Sequence, residues 1–367
     1  MSSPTTANPA GGRGRTVAVA GAASSVPGQI ISALTTRALR RGGPISTVIG
    51  VDTVPGGAGS VPWRLADLRS PALASVLAGV DTVVWVACST DLQHDLERRA
   101  SERRAEVTRT ALTVSMAAAA AGVSHLVVVS SAMVYGAAPD NPVPLTEDSA
   151  RRAVSDEGLV GDLLAVEDVL ERSRLDHPGL AVTLVRPAAL VGAGVDTVVT
   201  RHFAAPRLLA VKGTTPAWQF CHVEDLASGV AETVALGLSP VVTVGSLGSM
   251  TQAEVERLSG MRRVELSESA ALGTAARLHR IGVLPSPASD LSYALYPWVV
   301  SSETLRATAW EPTYDNATAL GVLLDGVRGQ YAFAGRRVER KDAALGAASA
   351  AVALVGTAAI LRRARRK

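Results

Sequence analysis

Gly21, Gly28 and Asp52 are the first residues along the chain whose types and spacing suggest chemistry. The stretch AGAASSVPGQI (20–30) follows a short apolar run, TVAVAG, and opens a helical pattern. A glycine turn at that place lets a pyrophosphate approach backbone N–H groups at a helix N-terminus. Asp52 closes the next apolar run, STVIGVD, where a carboxylate can accept hydrogen bonds from an adenosine ribose. Its charge would repel a 2′-phosphate, so the arrangement predicts NAD rather than NADP. Pro27 stands inside the turn; it suits a first helical position but offers no N–H to a phosphate. Asp156, Glu157 and Asp162 gather near a helix start, where carboxylates act as caps and dipole partners. His222 reads as a hydrogen-bonding residue where a helix begins. No group of histidines and acids has metal-ligand spacing, so no metal site is predicted.

These residues need elements to hold them, and the apolar pattern supplies them. TVAVAG, STVIGVD, DTVVWVA, HLVVVSS and AVTLVRP read as strands without a solvent face. Helical patterns at 27–41, 71–78, 92–121 and 157–173 separate them. The alternation predicts an α/β fold, a Rossmann-type doubly wound parallel sheet over 16–186. After Pro187 the pattern loosens into a smaller mixed α/β lobe, 187–335, expected to hold the substrate. Residues 1–15 are rich in Ser, Thr, Pro and Gly without an apolar stretch, and are expected to form a disordered lead-in rather than a signal peptide.

Longer motifs resemble the extended short-chain dehydrogenase/reductases of the NAD-dependent epimerase/dehydratase family. The resemblance is carried by WRLADLRSPALASVLAGVDTVVWVA (63–87), VVVSSAMVYG (127–136), LVRPAALVGAG (184–194), QFCHVEDLASGV (219–230) and WVVSSETLRATAWEPTYDNATAL (298–320). It implies NAD contacts from Gly21, Ala22, Ser24, Gly28, Asp52, Asp67, Leu68, Ala87, Ser130 and Pro187. It implies substrate contacts from Ser131, Tyr135 and Arg186, with Ser131 the one candidate catalytic residue. A nucleotide sugar is the implied substrate, and pairing of two copies through 92–121 and 157–173 the implied assembly.

The departures from the family pattern are as informative. Ser24, Ser25 and Pro27 stand where further turn glycines would be. Members of the family use a Tyr-x-x-x-Lys pair, and aligning AVEDVL (165–170) with the family's helix puts Leu159 and Leu163 at those positions. The tyrosines are at 135, 293, 296, 314 and 331, and the first lysine is Lys212, so the pair is absent whatever the alignment. Loss of a general acid/base costs roughly 10²–10⁴ in rate. The expected function is therefore a nucleotide-sugar epimerase/dehydratase relative with altered or weakened catalysis; the alternative is a non-catalytic sensor or a membrane-tethered scaffold.

Charge is distributed unevenly. The chain carries a net charge of +3, yet the last six residues, RRARRK, hold five positive charges and 336–342 (RRVERKD) adds more. The body between is acidic, which argues against a nucleic-acid-binding surface. Cys88 and Cys221 form no CxxC pattern, which excludes a disulfide framework. Residues 343–361, AALGAASAAVALVGTAAIL, are uncharged and bracketed by arginines. Over 336–367 this predicts a basic-flanked apolar helix associated with an anionic membrane, spanning it or lying on it. The body would then be cytoplasmic, at the inner face of the plasma membrane. A helix docked on the body and a disordered basic tail are the alternatives.

Overall fold

In the strand RTVAVA, β1 (Arg15–Ala20), Val17 and Val19 join one apolar cluster while Ala18 and Ala20 join another on the opposite face. Residues alternate across a strand, so a strand apolar at every position must sit in a sheet covered on both sides. The computed structural model describes residues 14–39, 43–57, 61–281, 286–328, 330–333 and 336–339. Through β6 the elements are α1 (Ser25–Ala38), β2 (Ile45–Asp52), β3 (Trp63–Leu65), α2 (Leu73–Val76), β4 (Thr82–Val86), α3 (Leu92–Leu96), α4 (Ala100–Ala120), β5 (His125–Val129), α5 (Leu159–Asp176) and β6 (Ala181–Pro187).

Beyond β6 follow β7 (Ala189–Val191), α6 (Val198–Ala204), β8 (Leu208–Val211), β9 (Ala217–Trp218), β10 (Phe220–His222), α7 (Val223–Leu236) and β11 (Val241–Val244). Then come β12 (Met250–Thr251), α8 (Gln252–Ser259), β13 (Arg263–Leu266), α9 (Glu268–Arg280), α10 (Glu303–Arg306) and α11 (Asn316–Val327). The main sheet has seven strands in the order β11-β6-β5-β4-β1-β2-β3, each pair parallel. From β1 the chain winds first toward β2 and β3, then returns to β4 on the other side. The order reverses between β1 and β4, and a crevice opens beyond the carboxyl ends of these strands, where open α/β sheets bind their ligands.

The first half of the chain does not complete its own sheet. Beyond the boundary expected near 186, β11 pairs along the edge of β6, with Val242 and Val244 fully buried. α7 packs on α1, covering the face that carries Val26, Ile30, Ile31 and Leu34. Arg15 donates to the carbonyl of Ala235, and Arg37 is paired with Glu232. The opposite face is covered by α2, α4 and α5.

The expected helix 92–121 is two helices. Asp91 caps α3 by accepting from the His94 N–H, and the backbone turns extended at Arg99 before α4 begins. Between 93 and 106 the sequence QHDLERRASERRAE has one large apolar residue, so no apolar stripe holds the two pieces in one line. The helix expected at 71–78 shortens to α2. Among the described residues no helix is long and apolar enough to cross a membrane. The helix expected at 343–361 and residues 1–13 of the lead-in expected over 1–15 lie outside the described residues, and Arg15 already opens β1.

A fragment ending at Pro187 would expose the α7-facing side of α1 and the edge of β6. It is expected to lose the cooperative thermal transition of the full chain, measured by circular dichroism. A fragment melting at the full-length temperature would show that the sheet closes without β11 and α7.

Candidate functional site

The crevice at the reversal point is a groove of about 330 Å³. Gly21, Ser24 and Pro27 line it from the turn after β1, and Ala87 to Asp91 from the turn after β4. Gly21 has φ +72°, a conformation that favours glycine. No side chain caps α1, so the N–H groups of its first turn have no side-chain partner from the N-cap, and Pro27 contributes none. Asp52 braces this turn: one carboxylate oxygen accepts from the Ala23 N–H at 2.9 Å, the other from the Thr53 N–H at 2.7 Å.

At its inner end the groove meets a mainly apolar recess of about 60 Å³. Cys88, Ser89, Leu159 and Leu163 line both. Ser130, Ser131, Pro187, Thr197, Asp290 and Trp298 complete the recess. Ser131 follows β5 and caps the 3-10 turn Ala132–Tyr135, its hydroxyl accepting from the Met133 N–H at 3.2 Å. The buried hydroxyls of Ser89 and Ser130 have no hydrogen-bond partner among the described residues. A buried hydroxyl without a partner costs about 1–3 kcal/mol, and a polar ligand bound in the recess would satisfy both. Burial pushes the Cys88 thiol up to about 12, so it stays protonated and is a poor nucleophile. A glycine turn at a bare helix N-terminus, a braced carboxylate at the end of β2 and two unpartnered hydroxyls at the inner end fit a dinucleotide lying from turn to recess.

Residues 17–239 match the model of the NAD dependent epimerase/dehydratase family. The chain belongs to this family. An uncharacterized protein of Mycobacterium tuberculosis (strain ATCC 25618 / H37Rv) is 27% identical over 224 residues, which is 59% of this chain and 59% of the relative. The 2′-dehydrokanamycin reductase of Streptomyces kanamyceticus is 35% identical over 127 residues, 32% of this chain and 34% of that protein. The chain thus spans about three-fifths or less of the length of these relatives. Among solved structures, the UDP-glucose 4-epimerase of Thermus thermophilus in complex with NAD superposes with a TM-score of 0.60 at 20% identity, covering 86% of this chain and 99% of that one. The dTDP-glucose 4,6-dehydratase DesIV of Streptomyces venezuelae, with NAD bound, superposes at 0.62 and 18% identity, covering 85% of this chain and 96% of that one. These likenesses show the family fold.

Leu159 and Leu163, expected from the sequence to stand at the family's Tyr and Lys positions, line both groove and recess. Of the residues expected to contact NAD, Gly21, Ser24 and Ala87 line the groove, and Ser130 and Pro187 line the recess. The others line neither groove nor recess. Ala22 is buried with its N–H donated to the Val51 carbonyl, and Gly28 donates to the Ser24 carbonyl inside the first turn of α1. Leu68 packs beside the Gly21 turn. Asp67 is held by the Arg69 guanidinium, whose hydrogen bonds keep the carboxyl below its usual range.

Tyr135 and Arg186, expected at the substrate, are packed in the interior away from the recess. Tyr135 is fully buried, its hydroxyl donating to the Glu147 carbonyl, and the Arg186 guanidinium lies over its ring. Arg186 is itself buried and forked onto Glu167, with bonds of 3.1 and 2.6 Å. The physical reason is charge: a buried guanidinium needs a carboxylate, and α5 supplies a fully buried one. His222 caps α7, its Nδ1 accepting from the Glu224 N–H, and stacks on Tyr314 at 3.7 Å.

The carboxylates near the start of α5 divide by their partners. Asp162 accepts from Arg103 at 2.5 Å and Arg104 at 2.8 Å, which ties α5 to α4 and leaves it doubly paired. Asp156 accepts from the Gly158 N–H and from the Ser289 hydroxyl, so it lies against the 3-10 turn Ala288–Ala294. Gly161 makes this approach possible, since a Cβ there would collide with the Asp156 carbonyl. Asp290, on the same turn, lines the recess and also a second cavity of about 100 Å³ with Gly136, Arg152 and Tyr293. Sequence reasoning missed Asp290. PSPASDLSY carries no family motif, and only the fold brings it to residues more than a hundred positions earlier.

Replacing Glu167 by Ala would strand the Arg186 charge in the interior. The expected loss of stability is about 3–5 kcal/mol, read from urea unfolding. A loss below ~1 kcal/mol would show that Arg186 reaches water and can serve a substrate.

Proposed function

We propose that this chain binds NAD and a nucleotide sugar and performs the redox chemistry of its family through an altered proton path. The observation that carries the reading is the meeting of groove and recess at Ser89, Leu159 and Leu163, with Ser130 and Ser131 lining the recess beyond and the hydroxyls of Ser89 and Ser130 without partners among the described residues. The turn after β1 would hold the pyrophosphate, Asp52 the adenosine side, and Ser130 and Pro187 the nicotinamide end. When bound, NAD supplies a hydride acceptor. The chain's residues then have to orient a sugar carbinol and move the proton of its hydroxyl. Ser131 supplies a hydroxyl for that oxygen, while Leu159 and Leu163 exclude water but carry no proton. Solved structures of the same fold are titled as UDP-glucose 4-epimerase and dTDP-glucose 4,6-dehydratase, which supports UDP- and dTDP-hexoses as the first substrates to try.

We propose further that two copies pair through α4 and α5. Leu112 and Met116, one turn apart on α4, are about half exposed, at 50% and 53%, which supports an apolar contact there. Replacing both by Glu is expected to halve the sedimenting mass; an unchanged mass would remove this surface from consideration.

Titration calorimetry with NAD, NADH and a panel of UDP- and dTDP-sugars tests the main reading, and saturable binding of a dinucleotide is expected. Absence of binding to every dinucleotide would sink it. Introducing Leu159→Tyr with Leu163→Lys is expected to raise hydride transfer to bound NAD, measured as absorbance of the reduced nicotinamide. No rise would mean that the rest of the site does not present a sugar to the cofactor.

A further inference from the structure

The recess contains one acid that the family pattern does not use. Asp290 sits on the 3-10 turn Ala288–Ala294 and lines the recess beside Ser130, Ser131, Leu159 and Leu163. It therefore shares the recess with Leu159, the residue that the sequence aligns with the family's tyrosine. Its turn is anchored to the same wall as Ser131: the Tyr293 hydroxyl donates to the Met133 carbonyl at 2.7 Å, and the Trp298 indole donates to the Tyr293 carbonyl at 3.0 Å. The Ser289 hydroxyl, donated to Asp156, pins the other side of the turn. Ser130, which also lines this recess, is fully buried and its hydroxyl has no partner among the described residues.

We infer that Asp290 is the proton carrier of this site, replacing the missing tyrosine from a different segment of the chain. The inference rests on the functional reading above. In the oxidative direction the hydroxyl proton of the sugar passes to the Asp290 carboxylate, and the carbon-bound hydrogen leaves with its electron pair to oxidised NAD. The products are a keto sugar, a neutral Asp290 and reduced NAD. In the reverse direction Asp290 returns the proton as hydride returns to the carbon, on either face, so the balance closes.

The surroundings suit the role. Burial raises the Asp290 carboxyl most, the charge of Asp156 raises it further, a Ser286 hydrogen bond and Arg103 oppose this, and Asp162 adds to it, leaving it at about 7. A carrier is most effective when it titrates near working pH. α9 and α6 also pack on this turn. α9 bears Glu268, bonded to the Tyr296 hydroxyl, with Arg277, His279 and Arg280 in its last turn. α6 bears Arg201, forked onto Asp196, and His202, which burial pulls down to about 4 and keeps neutral. Asp156 and Asp162 are the carboxylates closest in effect, and both have partners already.

The test compares the wild type with Asp290→Asn and Asp290→Glu, each checked for native circular dichroism. Single-turnover reduction of bound NAD is followed from acid to alkaline pH with each sugar nucleotide that binds. In the wild type the rate should rise through neutrality and then level off, since the carboxylate is the form that accepts the proton. Asp290→Asn should bind NAD and the sugar nucleotide as the wild type does, lose about 10²–10⁴ in rate, and lose the rise near neutrality; Asp290→Glu should restore part of both. A difference carboxyl titration by NMR, wild type against Asp290→Asn, should place one carboxyl near neutral pH without any turnover. Wild-type rates in Asp290→Asn, no hydride transfer by a wild type that binds both ligands, or a carboxyl titrating in the ordinary range would each overturn the inference alone. Failure of the wild type to bind any dinucleotide would overturn the functional reading and this inference with it.

Discussion

The structure depends on one constraint: a parallel sheet whose strands are apolar on both faces must be covered twice. β1 states it most simply, with Val17 and Val19 facing one layer and Ala18 and Ala20 the other. The helices between the first strands cannot meet this demand by themselves. α7 and β11, from the second half, finish one face and one edge. The recess draws its walls from the turns after β4 and β5, from β6, β7, α5 and α6, and from the turn carrying Asp290.

That dependence explains what was legible in the sequence. Proximity to a strand end narrows where a residue can be without settling what it faces: Gly21, Ser24, Ala87, Ser130, Ser131 and Pro187 line groove or recess, while Ala22, Asp67 and Leu68, as close to strand ends, line neither. Residues deeper in a motif were harder. Arg186 has the right neighbours in sequence, but its direction is set by the buried carboxylate of Glu167, nineteen positions away and visible only in three dimensions. The break between α3 and α4 was within reach, since the run from 93 to 106 lacks an apolar stripe. Asp290 was not, because its importance comes from burial and from Asp156, and neither leaves a local pattern.

The two leucines change the electrostatics of the site as well as its proton inventory. A Tyr-Lys pair brings a cation to the place where cofactor and substrate meet. Leu159 and Leu163 bring none, and of the guanidiniums lining the groove Arg103 is committed to Asp162 and Arg98 to Glu106. An apolar wall favours neutral forms of whatever acids face it. Leu159, Leu163 and Asp290 line the same recess, and burial raises the Asp290 carboxyl.

Asp52 joins two elements with one side chain. Its carboxylate accepts from the Ala23 N–H, so the end of β2 props up the turn after β1. The prop needs an acceptor and not a charge: an amide oxygen at this position could hold the turn, whereas a methyl group would leave it unsupported.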